Sequence, residues 1–188
     1  MNTNTNEDMH RLLYCTPRIY WSTETHQCNY LHGLYKLIED NLTSDMVMVE
    51  VGSCAAVSSH LFANKVKHIY CVDLWKAYSE IDEGHIKECE RLFNNFLKRY
   101  TNVTKIKKSS VEASRDYGDH TLNFVYIDAN HAYESVTEDI TTWLPKIKLN
   151  GMIAGHDYHH SSVKKAVSEI FTDATPTIYE DFSWLIKL

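Results

Sequence analysis

The chain has 188 residues, of which 44% are hydrophobic and 23% are charged, and its formal net charge at pH 7 is −6. This length suits one domain with one core, and the composition is ordinary for a soluble globular protein. The negative charge argues against non-specific binding to nucleic acid, because such binding depends on neutralising phosphates. No run approaches the roughly 20 apolar residues that a membrane-spanning helix needs, so we expect no membrane association.

The N-terminal part and the cysteines indicate the compartment. Residues 1–8 are polar and slightly acidic, which is not the pattern of a signal or transit peptide. The five cysteines, at positions 15, 28, 54, 71 and 89, include no Cys-x-x-Cys pair. We therefore expect free thiols in a reducing compartment, and a cytoplasmic protein.

Strands and helices alternate along the chain after a predicted helix over 25–40. The organising stretch is a β-branched apolar run over 46–51, followed by a loop of small residues and a helix from Ser58. The further predicted strands cover 68–73, 103–106, 122–128, 152–154, 175–179 and 183–188. The further predicted helices cover 83–100, a short turn from Ser109, 132–147, and a helix capped by Ser161 or Ser162.

This alternation predicts an α/β fold with helices on both faces of one mostly parallel sheet. The last two strands are joined by a tight turn at Glu180 and Asp181, so one of them must run antiparallel. We therefore predict a Rossmann-like sheet of seven strands that closes with a C-terminal antiparallel β-hairpin. This arrangement fits a Rossmann-like methyltransferase better than a dehydrogenase.

Acidic residues stand at or near the ends of four predicted strands: Glu50, Asp73, Asp128 and Asp157. In open α/β sheets, ligands bind beyond the carboxyl ends of the strands, where these side chains should converge. Their mutual repulsion indicates that a bound partner offsets it.

The second of these acids indicates the cofactor. Asp73 follows its strand at the interval of an acid that binds a ribose diol, yet the chain has no GxGxxG sequence for a pyrophosphate. A site for a diol without a pyrophosphate suits S-adenosylmethionine, with Glu50 and the loop amides near its methionyl end. Trp75 is either a wall for the adenine or a core residue. The candidate cofactor-binding residues are Glu50, Gly52, Ser53, Ser58, Asp73, Leu74, Trp75, Ser110, Val111, Asp128 and His131.

Four segments together resemble one enzyme family: 50–59, Val72 with Asp73, 126–134 with Asp139, and 151–158. They are similar to class I S-adenosylmethionine-dependent methyltransferases, and most to the small-molecule O-methyltransferase-like group with the patterns IDADHxYE and GGxxxxHDY. The resemblance covers about 46–158 and implies methyl transfer to a hydroxyl of a small molecule. This chain departs from the family at Ala56 and Asn150, where glycines are usual.

The same resemblance implies a metal site. In related metal-dependent O-methyltransferases, an acid after the fourth strand and a pair after the fifth bind a divalent cation. By position these are Asp128, His156 and Asp157. Magnesium prefers oxygen ligands, whereas a histidine admits manganese or zinc more readily. The alternative is that Asp157 only caps the following helix.

Methyl transfer to oxygen needs a base that removes the proton of the acceptor hydroxyl as it attacks. It also needs the methyl group to be aligned for in-line displacement. His131 is the preferred base, because imidazole titrates near neutral pH, and Asp128 is the second candidate catalytic residue. A bound metal could instead lower the hydroxyl pKa, or His131 could only start a helix.

Three other functions compete with this one. A dehydrogenase is not supported, because the chain lacks the glycine fingerprint of a dinucleotide site. A nucleic-acid methyltransferase is not supported either, because none of the three prolines lies in a sequence motif of those enzymes. A cofactor-binding or scaffold protein without catalysis is favoured only by Ala56. We expect residues 1–40 to form a segment that covers the substrate and 41–188 to form the methyltransferase domain. A homodimer, in which a partner subunit supplies the rest of the cover, is the alternative to a monomer.

Overall fold

The computed structural model describes residues 31–76 and 83–188. Its helices are α1 (His32–Asn41), α2 (Val57–Ala63), α3 (Glu83–Leu97), α4 (Ser110–Ser114), α5 (Tyr133–Trp143) and α6 (Ser161–Ile170), with a 3-10 turn at Leu144–Lys146. Its strands are β1 (Val47–Val51), β2 (His68–Asp73), β3 (Val103–Lys107), β4 (Leu122–Ile127), β5 (Ile147–Gly155), β6 (Thr177–Ile178) and β7 (Trp184–Lys187).

The strands form one seven-stranded sheet in the order β3-β2-β1-β4-β5-β7-β6. Strands β1 to β5 pair in parallel, whereas β7 runs antiparallel to both β5 and β6. The predicted fold class is therefore confirmed, including the closing hairpin. The chain reverses its direction of winding at β1, so the carboxyl ends of β1, β2 and β4 meet around one crevice.

The sheet is buried on both faces, as its central strands require. In β4, Phe124 and Tyr126 belong to one core cluster, which includes Leu34 of α1. Val125 and Ile127 belong to a second cluster on the opposite face. Because side chains alternate along a strand, each central strand contributes to both cores.

The segment from α5 to β5 differs from the prediction. We expected a helix to 147 and a short strand over 152–154, but β5 begins at Ile147. Pro145 lies in the 3-10 turn that ends the helical region. Asn150 adopts a left-handed conformation with φ of 63°, within a register shift between β4 and β5. The expected turn at Asn150 is thus a bulge inside a longer strand.

The start of α6 also differs from the prediction. Its N-cap is His160, and no side chain caps it. Ser162 instead donates a 2.7 Å hydrogen bond to the carbonyl oxygen of His131, so it connects α6 to the loop after β4. The capping of α4 is confirmed, because Ser109 and Glu112 form a reciprocal capping box.

Helix α1 is held by the C-terminal hairpin. The backbone N–H of Leu34 donates a 2.6 Å hydrogen bond to Asp181 Oδ2, and Ser183 N–H donates to Oδ1 at 3.0 Å. This carboxylate replaces the missing N-cap side chain of α1. The part of the predicted helix before residue 31 lies outside the described residues, as does the aromatic segment expected to cover the substrate. Among the described helices, none is long and apolar enough to cross a membrane.

A buried acid in α5 makes the stability depend on pH. Burial raises the pKa of Asp139 from 3.8 to about 6, although a hydrogen bond with Ser110 opposes the rise. The folded protein therefore binds this proton more tightly than the unfolded chain, and Asp139 lowers the free energy of unfolding as pH rises from about 4 to above 6.

We expect Asp139→Asn to raise the free energy of unfolding by about 2–3 kcal/mol at pH 7.5, with little effect at pH 4. The measurement is urea denaturation of wild type and variant at both pH values. The control is Glu138→Gln, which changes the exposed neighbouring acid. An equal effect of Asp139→Asn at the two pH values would contradict the assignment.

Candidate active site

The loop after β1 is pressed against the end of β4. The N–H of Gly52 donates a 2.8 Å hydrogen bond to the carbonyl of Val72. Gly52 has φ of 92°, and an added Cβ would lie 2.5 Å from the carbonyl carbon of Asp128 and overlap its oxygen. Only glycine allows this conformation together with such a close approach of two backbones.

Two further residues of this loop, Cys54 and Ala56, are left-handed, with φ of 41° and 68°. Ala56 stands where the family usually has glycine, and it is fully buried at the N-terminus of α2. A left-handed alanine costs about 1–2 kcal/mol, so the loop keeps a glycine-like conformation at some cost in stability. Such strain is typical of functional sites.

Glu50 is completely buried and anchors the helix that follows the loop. Ser58 Oγ donates to Glu50 Oε1 at 2.5 Å, and Ser59 Oγ donates to Oε2. Burial raises the pKa of Glu50, while these two hydrogen bonds oppose the rise. Glu50 and Ser58 were both predicted to bind the cofactor, and their mutual hydrogen bond holds the start of α2 against the end of β1. Ser53, another residue predicted to bind the cofactor, is also buried.

Asp73 joins the loop to the end of β2. Its Oδ2 accepts a 2.9 Å hydrogen bond from the N–H of Cys54, and its Oδ1 accepts one of 2.8 Å from the N–H of Trp75. Burial raises the pKa of Asp73, and the amide hydrogen bonds oppose the rise. The adjacent Leu74 is 49% exposed, so it can offer an apolar surface to a ligand.

Trp75 packs in the core. It is 5% exposed, and its indole N–H donates a 2.8 Å hydrogen bond to the carbonyl of Cys54. Its ring lies 4.7 Å from that of Phe93, and Lys105 Nζ lies 4.4 Å from its centroid. These contacts give Trp75 a structural role, and its contact with adenine stays a prediction. Its effect on the loop is indirect, through Cys54.

Ser110 and Val111 begin α4, directly after β3. Both are half-buried, and Ser110 Oγ accepts a 2.9 Å hydrogen bond from the indole N–H of Trp143. The neighbouring β2 carries Asp73, so the two residues lie at the same edge of the sheet as that acid. Their contact with adenine stays a prediction.

The four residues predicted to carry the chemistry converge between β4 and β5. His131 Nε2 lies 2.9 Å from Asp157 Oδ2 and 4.0 Å from Asp128 Oδ1. His156 Nδ1 lies 3.4 Å from Asp157 Oδ2 and 4.0 Å from Asp128 Oδ1. Asp157 is the second residue after β5 and is left-handed, with φ of 58°, and its carboxylate lies between the two imidazoles.

The charges of this cluster shift the pKa of His131, His156 and Asp157. The carboxylates of Asp128 and Asp157 raise the pKa of His131 to about 10, and partial burial opposes the rise. Burial alone would lower the pKa of His156, but its bond to Asp157 and the nearby carboxylates raise it to about 9. Burial would raise the pKa of Asp157, but the two histidines outweigh it and lower the pKa. At neutral pH both imidazoles are therefore protonated.

Three ligand-type atoms, one each from Asp128, His156 and Asp157, lie within 4.8 Å of one another. These are the residues that the resemblance implies for a metal. A second such group contains His131, Asp157 and His160. In the sequence, His160 is marked only by the HDYHH run after β5, which indicates the start of a helix and not a site.

A narrow cleft lies beside these residues, lined by Asp128, Asn130, His131, Val136, His156 and Trp184. Trp184 is 1% exposed, and its indole N–H has no hydrogen-bond partner among the described residues. A buried donor without a partner is uncommon in folded proteins.

The Rossmann-like sheet and its acidic crevice are typical of one class of enzyme, the class I S-adenosylmethionine-dependent methyltransferases. The profile of the family described as "Methyltransferase domain" matches residues 49–158, which is more than half of the chain. The chain therefore belongs to this methyltransferase family. No curated protein sequence matches it.

Solved structures share the fold at low sequence identity. A Streptococcus mutans protein described as a methyltransferase, in complex with SAH, is similar with a TM-score of 0.61 and 12% identity, over 85% of this chain and 98% of that one. A Staphylococcus aureus protein described as a caffeoyl-CoA O-methyltransferase has a TM-score of 0.59 and 16% identity, over 82% and 80%. An rRNA methylase of Streptococcus thermophilus has a TM-score of 0.59 and 13% identity, over 88% and 96%.

We expect Gly52→Ala to destabilise the protein by about 2 kcal/mol or more, because the methyl group overlaps the Asp128 carbonyl and the left-handed φ is strained. The measurement is urea denaturation at pH 7.5. The matched control is Gly118→Ala, where the added Cβ would only touch Thr121 Cγ2 at 3.4 Å. If both variants were as stable as wild type, the close packing of the loop on β4 would be wrong.

Proposed function

We propose that the chain transfers the methyl group of S-adenosylmethionine to a hydroxyl of a small molecule, with the help of a divalent cation. The observation that carries the proposal is the convergence of Asp128, His131, His156 and Asp157 beside the loop after β1. Two carboxylates and two imidazoles at one sheet edge provide both a cation site and a base.

The loop and Asp73 fit the cofactor. Gly52 lets the loop after β1 pack directly on the backbone after β4, and Asp73, at the end of the neighbouring strand, holds the same loop through the N–H of Cys54. Each carboxylate oxygen of Asp73 now accepts one backbone N–H and keeps a further lone pair for a ribose hydroxyl. When bound, S-adenosylmethionine supplies the methyl group.

The donor set of Asp128, Asp157 and His156 fits a divalent cation. Two carboxylates suit magnesium or manganese, and the imidazole favours manganese over magnesium. The neighbouring carboxylates stabilise the protonated form of His156, so this imidazole must lose a proton to act as a ligand. A bound cation would lower the pKa of the acceptor hydroxyl.

His131 is our candidate for the base, with its Nε2 as the accepting atom. In the present arrangement it is protonated, because it is paired with Asp157 and lies close to Asp128. With these carboxylates neutralised, His131 would lose the interactions that raise its pKa and could accept the hydroxyl proton. The base and the cation site are therefore coupled through the same two acids.

The acceptor that we propose is a small molecule. Two rRNA methylases are among the similar structures, but at 12–13% identity they share only the fold. The net charge of −6 does not suit an RNA substrate. The strained Ala56 supports a second candidate, a cofactor-binding protein without turnover. A homodimer and a cover formed by the N-terminal segment also remain proposals.

We expect wild type to bind S-adenosylmethionine in calorimetric titration, and Asp73→Ala to bind it at least about 10-fold more weakly, through loss of hydrogen bonds to a charged acceptor. The matched control is Asp116→Asn, an exposed acid that pairs with Lys108 on the surface. No binding by wild type, or equal binding by Asp73→Ala, would sink the cofactor assignment. Binding with no SAH release from any of a panel of phenols and sugars would favour the non-catalytic candidate.

A pH titration tests the cation site. Because the folded-state pKa of His131 lies above 6.5, its ion pair stabilises the fold fully below pH 6.5, and this contribution disappears as pH rises towards 10. NMR of the His131 ring should show the high pKa without cation and a fall of at least about one unit with saturating magnesium. Asp128→Asn and Asp157→Asn should weaken the magnesium effect. A pKa that magnesium leaves unchanged would contradict the cation site.

A further inference from the structure

A second group of ligand-type side chains lies on the solvent side of the residues proposed to hold magnesium. It consists of His131 in the loop between β4 and α5, Asp157 after β5, and His160 at the start of α6. One ligand-type atom of each residue lies within 4.8 Å of the other two. Asp157 belongs to both groups, whereas His160 has no part in the function proposed above.

The backbone holds these three side chains together. Asp157 and His160 belong to one turn, in which the N–H of His160 donates a 2.9 Å hydrogen bond to the carbonyl oxygen of Asp157. His131 is tied to the following helix, because Ser162 Oγ donates a 2.7 Å hydrogen bond to its carbonyl oxygen. The rings of His131 and His160 stack, with centroids 5.2 Å apart and an interplanar angle of 28°. The group therefore joins the loop after β4 to the start of α6.

The imidazole of His160 has hydrogen-bonding capacity that the described residues do not use. Within that part of the chain it forms no side-chain hydrogen bond or ion pair, and its ring contacts are with His131 and His159. His131, in contrast, has its Nε2 2.9 Å from Asp157 Oδ2. An exposed imidazole beside a second imidazole and a carboxylate is well placed to act as a metal ligand.

Two imidazoles and one carboxylate suit a transition metal better than magnesium. Magnesium prefers an octahedron of oxygen ligands, whereas zinc and cobalt accept nitrogen and oxygen together. Two ligands of one tetrahedral zinc, each about 2.1 Å from the metal, lie about 3.4 Å apart, so these three atoms must approach one another by about 1.4 Å at most. Rotation of the exposed His160 ring can supply this movement.

We propose that His131, Asp157 and His160 form a second metal site, which binds zinc or a similar transition-metal ion in preference to magnesium. The metal would replace the proton of the His131–Asp157 ion pair, and that proton would pass to water. The side chain of His131 is 42% exposed and His160 is exposed, so the ion can enter from solvent. In the first group, by comparison, the side chain of His156 is only 6% exposed.

Zinc at this site would oppose the reaction that we propose. It would occupy His131, our candidate base, and it would hold Asp157, which the proposed magnesium site also needs. We therefore expect zinc to inhibit the enzyme and to remove the effect of magnesium on the His131 ring. This consequence rests on the proposed function, whereas the metal site itself does not.

The test measures metal binding to the full chain in the absence of S-adenosylmethionine, so failure of the proposed function would not affect it. Cobalt(II) is titrated as a coloured substitute for zinc, and zinc affinity follows from displacement of the bound cobalt. We expect one tightly bound cobalt ion per chain, which zinc displaces and an equal concentration of magnesium does not. His160→Ala should bind cobalt at least about 10-fold more weakly, because even the loss of an outer-shell partner costs that much.

Three further variants separate this site from its neighbours. His159→Ala removes an adjacent exposed imidazole that lies outside the group, so it should leave cobalt binding unchanged. Asp128→Asn should weaken the magnesium effect without weakening cobalt binding, and His160→Ala should do the reverse. His160→Gln, which keeps a long side chain, is a second variant should alanine alter the turn.

Equal cobalt affinity of wild type and both His160 variants would overturn the proposal. A loss of cobalt binding in Asp128→Asn or His159→Ala as large as that in His160→Ala would also overturn it, since the ion would then use other ligands. A sulfur-to-cobalt charge-transfer band in the near ultraviolet would place the bound ion on a cysteine and would contradict the site as well.

Discussion

The close approach of Gly52 to the backbone of Asp128 is the constraint on which the site depends. Because β1 and β4 are neighbours in the sheet, the loop after β1 and the residue after β4 must share the same space. Glycine meets this constraint by having no Cβ, and the left-handed residues Cys54 and Ala56 continue the same tight loop. This packing places the loop amides, Asp73 and Asp128 around one crevice.

The second half of the site depends on charge balance. Asp128 and Asp157 would repel each other, and His131 and His156 offset this repulsion as cations. The same pairing withholds the proposed base, since a protonated imidazole cannot accept a proton. In the function that we propose, a cation held by Asp128, His156 and Asp157 would neutralise the two carboxylates and let both histidines lose their protons. The fold and the proposed chemistry would then use the same contacts in different protonation states.

Most of the fold could be predicted because the apolar residues repeat with clear periods. Strand β2 matches its prediction residue for residue, since its ends are marked by polar residues. The exceptions arose where a local signal had two meanings. Asn150 and Gly151 are typical of a turn, yet here they form a bulge because β4 continues to pair with β5 beyond them. The indole of Trp75 was ambiguous between crevice and core until its contacts with Phe93 and Lys105 were known.

By itself the sequence determined the α/β class, the order of elements and the acids at the strand ends, because these follow from local periodicity and from the rule that parallel strands end at one edge. Only the tertiary structure decided which side chains touch. It paired Glu50 with two serines and set Asp157 between two imidazoles. These contacts join residues that are distant in sequence or turned by left-handed backbone, and no local pattern records either feature.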